Sequence, residues 1–129
     1  MRLNPSKTTT MIVSRSRTVE PDHPALHVDN VDVPESTNLD VLGVKLDKEL
    51  TFKAHVRDLA SRASRNVGIV RKAARVFQDH SISLTCVRSF VLPLFEYCSP
   101  VWGSACQSHL SVLDRVARRA VSVRRIWCW

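Results

Sequence analysis

One stripe of apolar residues constrains this chain more than any other feature. Phe52, Val56, Leu59, Ala63, Val67, Val70, Ala74 and Phe77 recur at steps of four, three, four, four, three, four and three. That spacing follows the 3.6-residue turn of an α-helix, so the eight side chains share one face of a long helix that has to bury them. Arg57, Arg65, Lys72 and Arg75 project from the opposite face, with Arg62 and Arg71 on its flanks. Thr51, just ahead of the stripe, suits an N-cap.

Before the stripe the period is two. Residues 8 to 14, Thr-Thr-Thr-Met-Ile-Val-Ser, are β-branched and apolar, and they follow the turn signal Asn4-Pro5-Ser6, so a strand is predicted there. Leu26 and Val28 alternate on one side of Asp29-Asn30, and Val31 and Val33 on the other, the pattern of a small hairpin with a tight turn. Leu42, Val44 and Leu46 alternate as a further strand, giving three or four short strands within the first 47 residues. After the stripe, Ser81 opens a second helix with a buried side of Leu84, Val87, Val91, Leu94 and Cys98, kinked at Pro93 and ended by Pro100. A third helix from about Ser108 buries Leu110, Leu113, Ala117 and Ala120 and turns Arg115, Arg118 and Arg119 outward or sideways. The predicted class is α+β: a small antiparallel β segment over residues 8 to 47, then a three-helix basic bundle.

Charge follows the same division. Residues 1 to 50 hold six Lys/Arg against eight Asp/Glu, and residues 51 to 129 hold thirteen against four. A basic half of this kind suits the phosphate backbone of a nucleic acid or an anionic membrane surface, or else is a solvated face that keeps the chain dispersed. The first nineteen residues carry Arg2, Lys7, Arg15 and Arg17, many hydroxyls and no acid, as a mitochondrial transit peptide does, although Pro5 opposes that reading. No apolar run approaches the roughly 18 residues of a membrane span. We therefore expect a soluble chain with no membrane partner, intracellular, in nucleus or cytoplasm.

Little in the sequence points to chemistry. Cys86, Cys98, Cys106 and Cys128 form no Cys-x-x-Cys pair, and their spacing with His109 matches no common zinc module. Reduced thiols are the expectation, with Cys86 and Cys98 as buried structural residues rather than nucleophiles. His23 and His27 are four apart, but Pro21 and Pro24 argue against a helix there and make them loop histidines. There is no Gly-x-Ser-x-Gly, no phosphate-binding glycine loop and no His-Glu-x-x-His. Two-metal phosphoryl transfer needs clustered carboxylates, and no two acidic residues are adjacent anywhere in the chain. No catalytic residue, cofactor, metal ligand or small-molecule substrate is assigned.

Four segments, in one order, carry a resemblance. Leu3-Asn4-Pro5-Ser6-Lys7-Thr8 with Met11-Ile12-Val13-Ser14 comes first. Leu42-Gly43-Val44-Lys45-Leu46-Asp47 with Leu50-Thr51-Phe52-Lys53-Ala54-His55-Val56 is second, and Phe90 through Trp102, with Glu96-Tyr97-Cys98-Ser99-Pro100-Val101-Trp102 at its end, is third. His109-Leu110 through Leu113-Asp114-Arg115-Val116-Ala117-Arg118-Arg119-Ala120 is the last. Together they resemble the end of the palm and the thumb of reverse transcriptases of non-LTR retrotransposons, the jockey-like group in particular, across residues 3 to 121.

The resemblance implies three regions: residues 1–50 as the end of a palm, 51–121 as a thumb-like helical region and 122–129 as a divergent tail. Lys7 would lie near the phosphates of an incoming nucleotide, or is an ordinary turn lysine. Leu42 and Gly43 would fall on a primer-grip hairpin, where the missing side chain of Gly43 lets backbone approach the primer strand, or Gly43 is a glycine tolerated at a strand bend. Arg57, Arg62, Arg65, Lys72 and Arg75 would touch the phosphates and sugars of an RNA/DNA template-primer, or remain a solvated face. Trp102, Tyr97 and Phe95 invite a base-stacking role but sit among apolar residues that favour core packing, and His55 reads as a helix-start histidine bonded to backbone. The family's Asp-Asp motif, which holds Mg in the full enzyme, is expected before residue 1, and Met1 reads as the first methionine of a truncated frame. Val123 to Trp129 departs from the family pattern. The expectation is an RNA-directed DNA polymerase fragment that is no enzyme by itself and whose partners are template-primer and the palm and fingers. The alternative is a domesticated basic helical module that binds nucleic acid or protein.

Overall fold

The computed structural model describes residue 4 and residues 7–14, 25–28, 30–77 and 79–122. His23, Cys128, the Val123–Trp129 tail and most of the arginine-bearing first twenty residues lie outside them. The chain divides into two compact units, Met1–Phe52 and Lys53–Trp129, and the class is α+β.

The first unit contains two antiparallel pairs among its described residues. β1 (His27–Val28) pairs with β2 (Val31–Asp32), matching Val28 to Val31. Asn30 in the loop has φ of 60°, the left-handed region that asparagine tolerates. The predicted hairpin is thus present but only two residues long per strand. His27, expected in a loop, lies on β1 and places Nδ1 2.5 Å from Asp32 Oδ1 on the facing strand. β3 (Asn38–Val41) and β4 (Val44–Asp47) form the second pair, matched from Asn38–Asp47 to Val41–Val44. Sequence reasoning did not single out β3, because Leu39 and Val41 are too few for a visible alternation. It also placed Leu42 on a strand, whereas Leu42 is in the turn. The strand expected over residues 8 to 14 reduces to one bridge: Thr10 donates N–H to Pro34 O (3.0 Å) and accepts from Ser36 N–H (2.8 Å). Propensity alone does not make a strand.

Asp47 ties off β4. Its carboxylate accepts the Thr51 N–H at 2.8 Å and the Thr51 hydroxyl at 2.9 Å. Burial pushes this carboxyl up, but the Thr51 bonds, with backbone N–H groups of Phe52 and Glu49, outweigh it and hold the group below its ordinary value. This clasp spans a turn in which Leu50 and Phe52 have φ of 51° and 55°, a conformation L-residues avoid. Thr51, expected to cap the helix, lies two residues before it.

The second unit is helical: α1 (Lys53–Phe77), α2 (His80–Phe90), α3 (Leu92–Glu96), α4 (Ser99–Trp102) and α5 (Gln107–Ser122). α1 is the predicted helix, with Val56, Leu59, Ala63, Val67, Val70 and Ala74 buried, joined by Ala60 and His55. Phe77, the last position of the stripe, is 60% exposed at the helix end. α1 packs against α5 and α2, and α3 packs against both α2 and α1.

Asp79, not Ser81, opens α2, its carboxylate accepting the Ser81 N–H at 2.7 Å. The single kinked helix expected from Ser81 to Pro100 is instead three pieces. Pro93, which has no N–H to donate, stands in the first turn of α3 rather than bending a continuous helix, and Pro100 begins α4 rather than ending its predecessor. Cys98, in the left-handed region at φ 50°, separates the two. Of the expected buried side only Val91 is fully buried, while Leu84, Val87, Leu94, Cys86 and Cys98 are half-exposed. α5 buries Leu113, Val116 and Ala120, a stripe turned slightly from the expected one, so that Leu110 and Ala117 lie at its margin.

Trp102 belongs to this core. It is 7% exposed, donates Nε1–H to Tyr97 O at 2.8 Å, and its ring centroid lies 6.2 Å from that of buried His55. Trp102 is therefore a packing residue, whereas Tyr97 is exposed and Phe95 half-buried. Among the described residues no helix is long and apolar enough to cross a membrane.

Candidate nucleic-acid interface

The face of α1 opposite its buried stripe is the largest ordered array of cations in the described chain. Arg57, Arg65, Lys72 and Arg75 are all exposed. Among the described residues none of their head groups has an ion-pair partner. At 1.5 Å per residue the array runs ~27 Å from Arg57 to Arg75. Between its ends the same face carries Ser61, Ser64 and Gly68, all exposed. These small residues leave the helix surface open between the long cationic side chains.

Arg62 does not belong to this array. It is half-buried, and its Nε, sealed from solvent, lies 3.1 Å from Asp58 Oδ2 one helical turn away. The contact is electrostatic, since the geometry falls short of a hydrogen bond. Asp58 is the only acidic residue on α1, so one of the five predicted contact residues has its charge answered within the helix. Arg71, at the flank, is likewise half-buried.

The other predicted positions lie in the first unit. Lys7 is exposed in a single tight turn in which its N–H reaches Asn4 O at 3.1 Å. Leu42 and Gly43 form the two-residue loop joining β3 to β4, with φ of 51° and 82°. Two successive positive φ values give the primed turn whose twist matches a hairpin. Gly43 takes that conformation at no steric cost, and Leu42 does not. Leu42 is also 83% exposed, so an apolar side chain stands in water on a strained backbone.

Among the described residues no three His, Cys, Asp or Glu side chains lie close enough to hold a metal ion. Cys86, Cys98 and Cys106 are free thiols. Cys106, exposed just before α5, has its thiol pushed down by the Ser108 hydroxyl and then by the Ser108 N–H. Phe95, Trp102, Leu110 and Leu113 line an apolar cleft of about 440 Å³ whose only charged lining residue among the described ones is Asp114. An oily cleft with one carboxylate binds or packs; it supplies no acid–base pair.

The chain is 32% identical over 101 residues to a protein described as the probable RNA-directed DNA polymerase from transposon X-element of Drosophila melanogaster. The match covers 74% of this chain and 11% of that protein. No protein-family profile matches the chain, and no solved structure does.

Proposed function

We propose, from a reverse-transcriptase-related origin that the transposon polymerase match supports, that the helical unit is a thumb-like element that grips an RNA/DNA template-primer by its phosphates. The carrying observation is the exposed array of Arg57, Arg65, Lys72 and Arg75, without ion-pair partners among the described residues. Cations spaced along one helix face meet a backbone and not base edges, so the grip is independent of sequence. Arg62 contributes through Asp58 to the helix rather than to the ligand.

Under this reading residues 1–50 are the end of a palm. The strained, exposed Leu42-Gly43 tip is then the primer-grip contact, and Lys7 approaches a nucleotide phosphate. The chain alone performs no polymerisation: the Asp-Asp motif and its Mg belong to palm and fingers, which would also cover the exposed Phe77 and Phe90 of the helical unit. Its place of action is nucleus or cytoplasm.

The direct test is gel-shift binding of a mixed-sequence RNA–DNA hybrid by the full chain and by the variant Arg57→Gln/Arg65→Gln/Lys72→Gln/Arg75→Gln. We expect the wild type to bind at low salt, unrelated sequences to compete equally, and the variant to lose most of its affinity. Equal binding by the two proteins would sink the assignment of α1. A second reading, in which the helical unit is an independent binding module, draws on the separate compactness of Lys53–Trp129. Residues 53 to 129, expressed alone, would then fold cooperatively and bind as tightly as the full chain.

A further inference from the structure

α5 carries a second cationic face. Arg115, Arg118 and Arg119 are all exposed, and among the described residues none of their guanidinium groups has an ion-pair partner. Spaced i, i+3 and i+4, they occupy ~6 Å of helix axis. With Ser111, Asp114 and Ser122 they line a groove of about 530 Å³. The serine hydroxyls are already committed as donors, Ser111 to Ser108 O and Ser122 to Arg119 O, each at 2.8 Å. Among the described residues, side-chain donors into the groove therefore come from the guanidinium groups, and the only carboxylate lining it is Asp114. Planar forks with five N–H donors each, gathered in a groove of net positive charge, fit phosphate oxygens.

Helix stabilisation alone does not account for the cluster. A cation in the last turn answers the partial negative charge there, which explains Arg119. Arg115 lies two turns in from the end, beyond the reach of that effect. Nor is this the α1 site extended. α5 buries Leu113, Val116 and Ala120 and packs on α1, so each helix turns its own basic face away from the other.

We propose that the Arg115–Arg118–Arg119 face is a second phosphate-backbone site that holds a nucleic-acid segment other than the one gripped by α1. The inference rests on the reading of the helical unit as a nucleic-acid binder. It makes the unit bivalent: one chain bridges two segments.

The test uses the full chain and a mixed-sequence RNA–DNA hybrid about two helical turns long. Native mass spectrometry should count two duplexes per wild-type chain and one for Arg115→Gln/Arg118→Gln/Arg119→Gln. The dependence on log salt of log affinity summed over all bound duplexes should flatten by about 3 in that variant, roughly one per lost phosphate contact. Asp114→Asn removes the repelling carboxylate and should tighten binding about twofold at low salt, a gain that misfolding does not produce. One duplex per wild-type chain, with the slope unchanged in the triple variant, overturns the second site and leaves the α1 reading intact. A wild type that binds no duplex overturns both. An α1 variant that binds as wild type, beside a weakened α5 variant, keeps this inference and removes the other. Loss of binding to anionic phospholipid vesicles, with duplex binding unchanged, would assign the face to a membrane and overturn the proposal.

Discussion

The β unit and the helical unit divide the buried surface unequally. Among the described residues the first buries three apolar side chains, Val33, Val44 and Phe52, and the second thirteen. The β unit relies instead on local polar contacts: the Asp47–Thr51 clasp, the His27–Asp32 pair across β1 and β2, and the Lys48–Glu35 pair at 3.1 Å. Exposed pairs of that kind contribute little each, and strands of two to four residues are marginal without a packed face. The helical unit closes a continuous stripe against its neighbours, so its exposed side is free to be chosen for charge. One region presents strained, exposed turns and the other a basic surface backed by a packed core.

Four perturbations would break or sharpen this contrast. The largest effect is expected from Trp102→Ala, which empties the space beside His55 and removes the bond to Tyr97 O. A loss of about 3–5 kcal/mol is expected in urea unfolding followed by helical circular dichroism; a loss below about 1 kcal/mol would mean the helices are not held by this core. Next is Asp79→Ala, which frees the Ser81 N–H at the start of α2 and should cost about 1 kcal/mol in the same experiment. An unchanged midpoint there would show that α2 is set by packing alone.

Leu42→Asn should move stability in the other direction. Asparagine accepts the left-handed turn, so the β3–β4 hairpin should gain on the order of 0.5–1 kcal/mol, read from amide exchange of Val44 and Leu46, whose pairs with Val41 and Leu39 are the hydrogen-bonded ones. If the tip touches a primer strand, duplex affinity falls at the same time. A variant better in both respects would show that the exposed leucine serves no contact.

The smallest effect concerns acid. The folded Asp47 carboxyl titrates below its ordinary value of 3.8, so its contribution is complete above that value. It is lost as pH falls through the lower, folded value. NMR shifts of Thr51 and Phe52 should therefore change at a pH below that at which free aspartate titrates, while α1 is unaffected. A midpoint above 3.8 would mean that burial, not hydrogen bonding, sets the group.

The two units also differ in how far their sequences disclosed them. α1 was legible because seven turns of one period leave few alternatives, and the same period placed Arg57, Arg65, Lys72 and Arg75 together. It could not show that Arg62 is drawn to Asp58, since a residue on a flank turns either way. α5 was legible as a helix but not in its rotation: Val116 and Ala117 both fit an apolar spacing, and the packing on α1 decided for Val116. In the β unit the signals were short. Residues 8 to 14 had the composition of a strand but, among the described residues, reached only the bridge at Thr10, whereas β3, with two acceptable residues, had the partner β4. Sheet formation is a property of pairs, and a single segment does not contain it.

The most direct test of the central claim is NMR observation of the arginine Nε–H groups of the full chain as an RNA–DNA hybrid is added. The account requires the Arg57, Arg65 and Arg75 resonances to move with the duplex while that of Arg62, held against Asp58, does not. Duplex binding that leaves all three unmoved, or that moves Arg62 as much as the others, would contradict it.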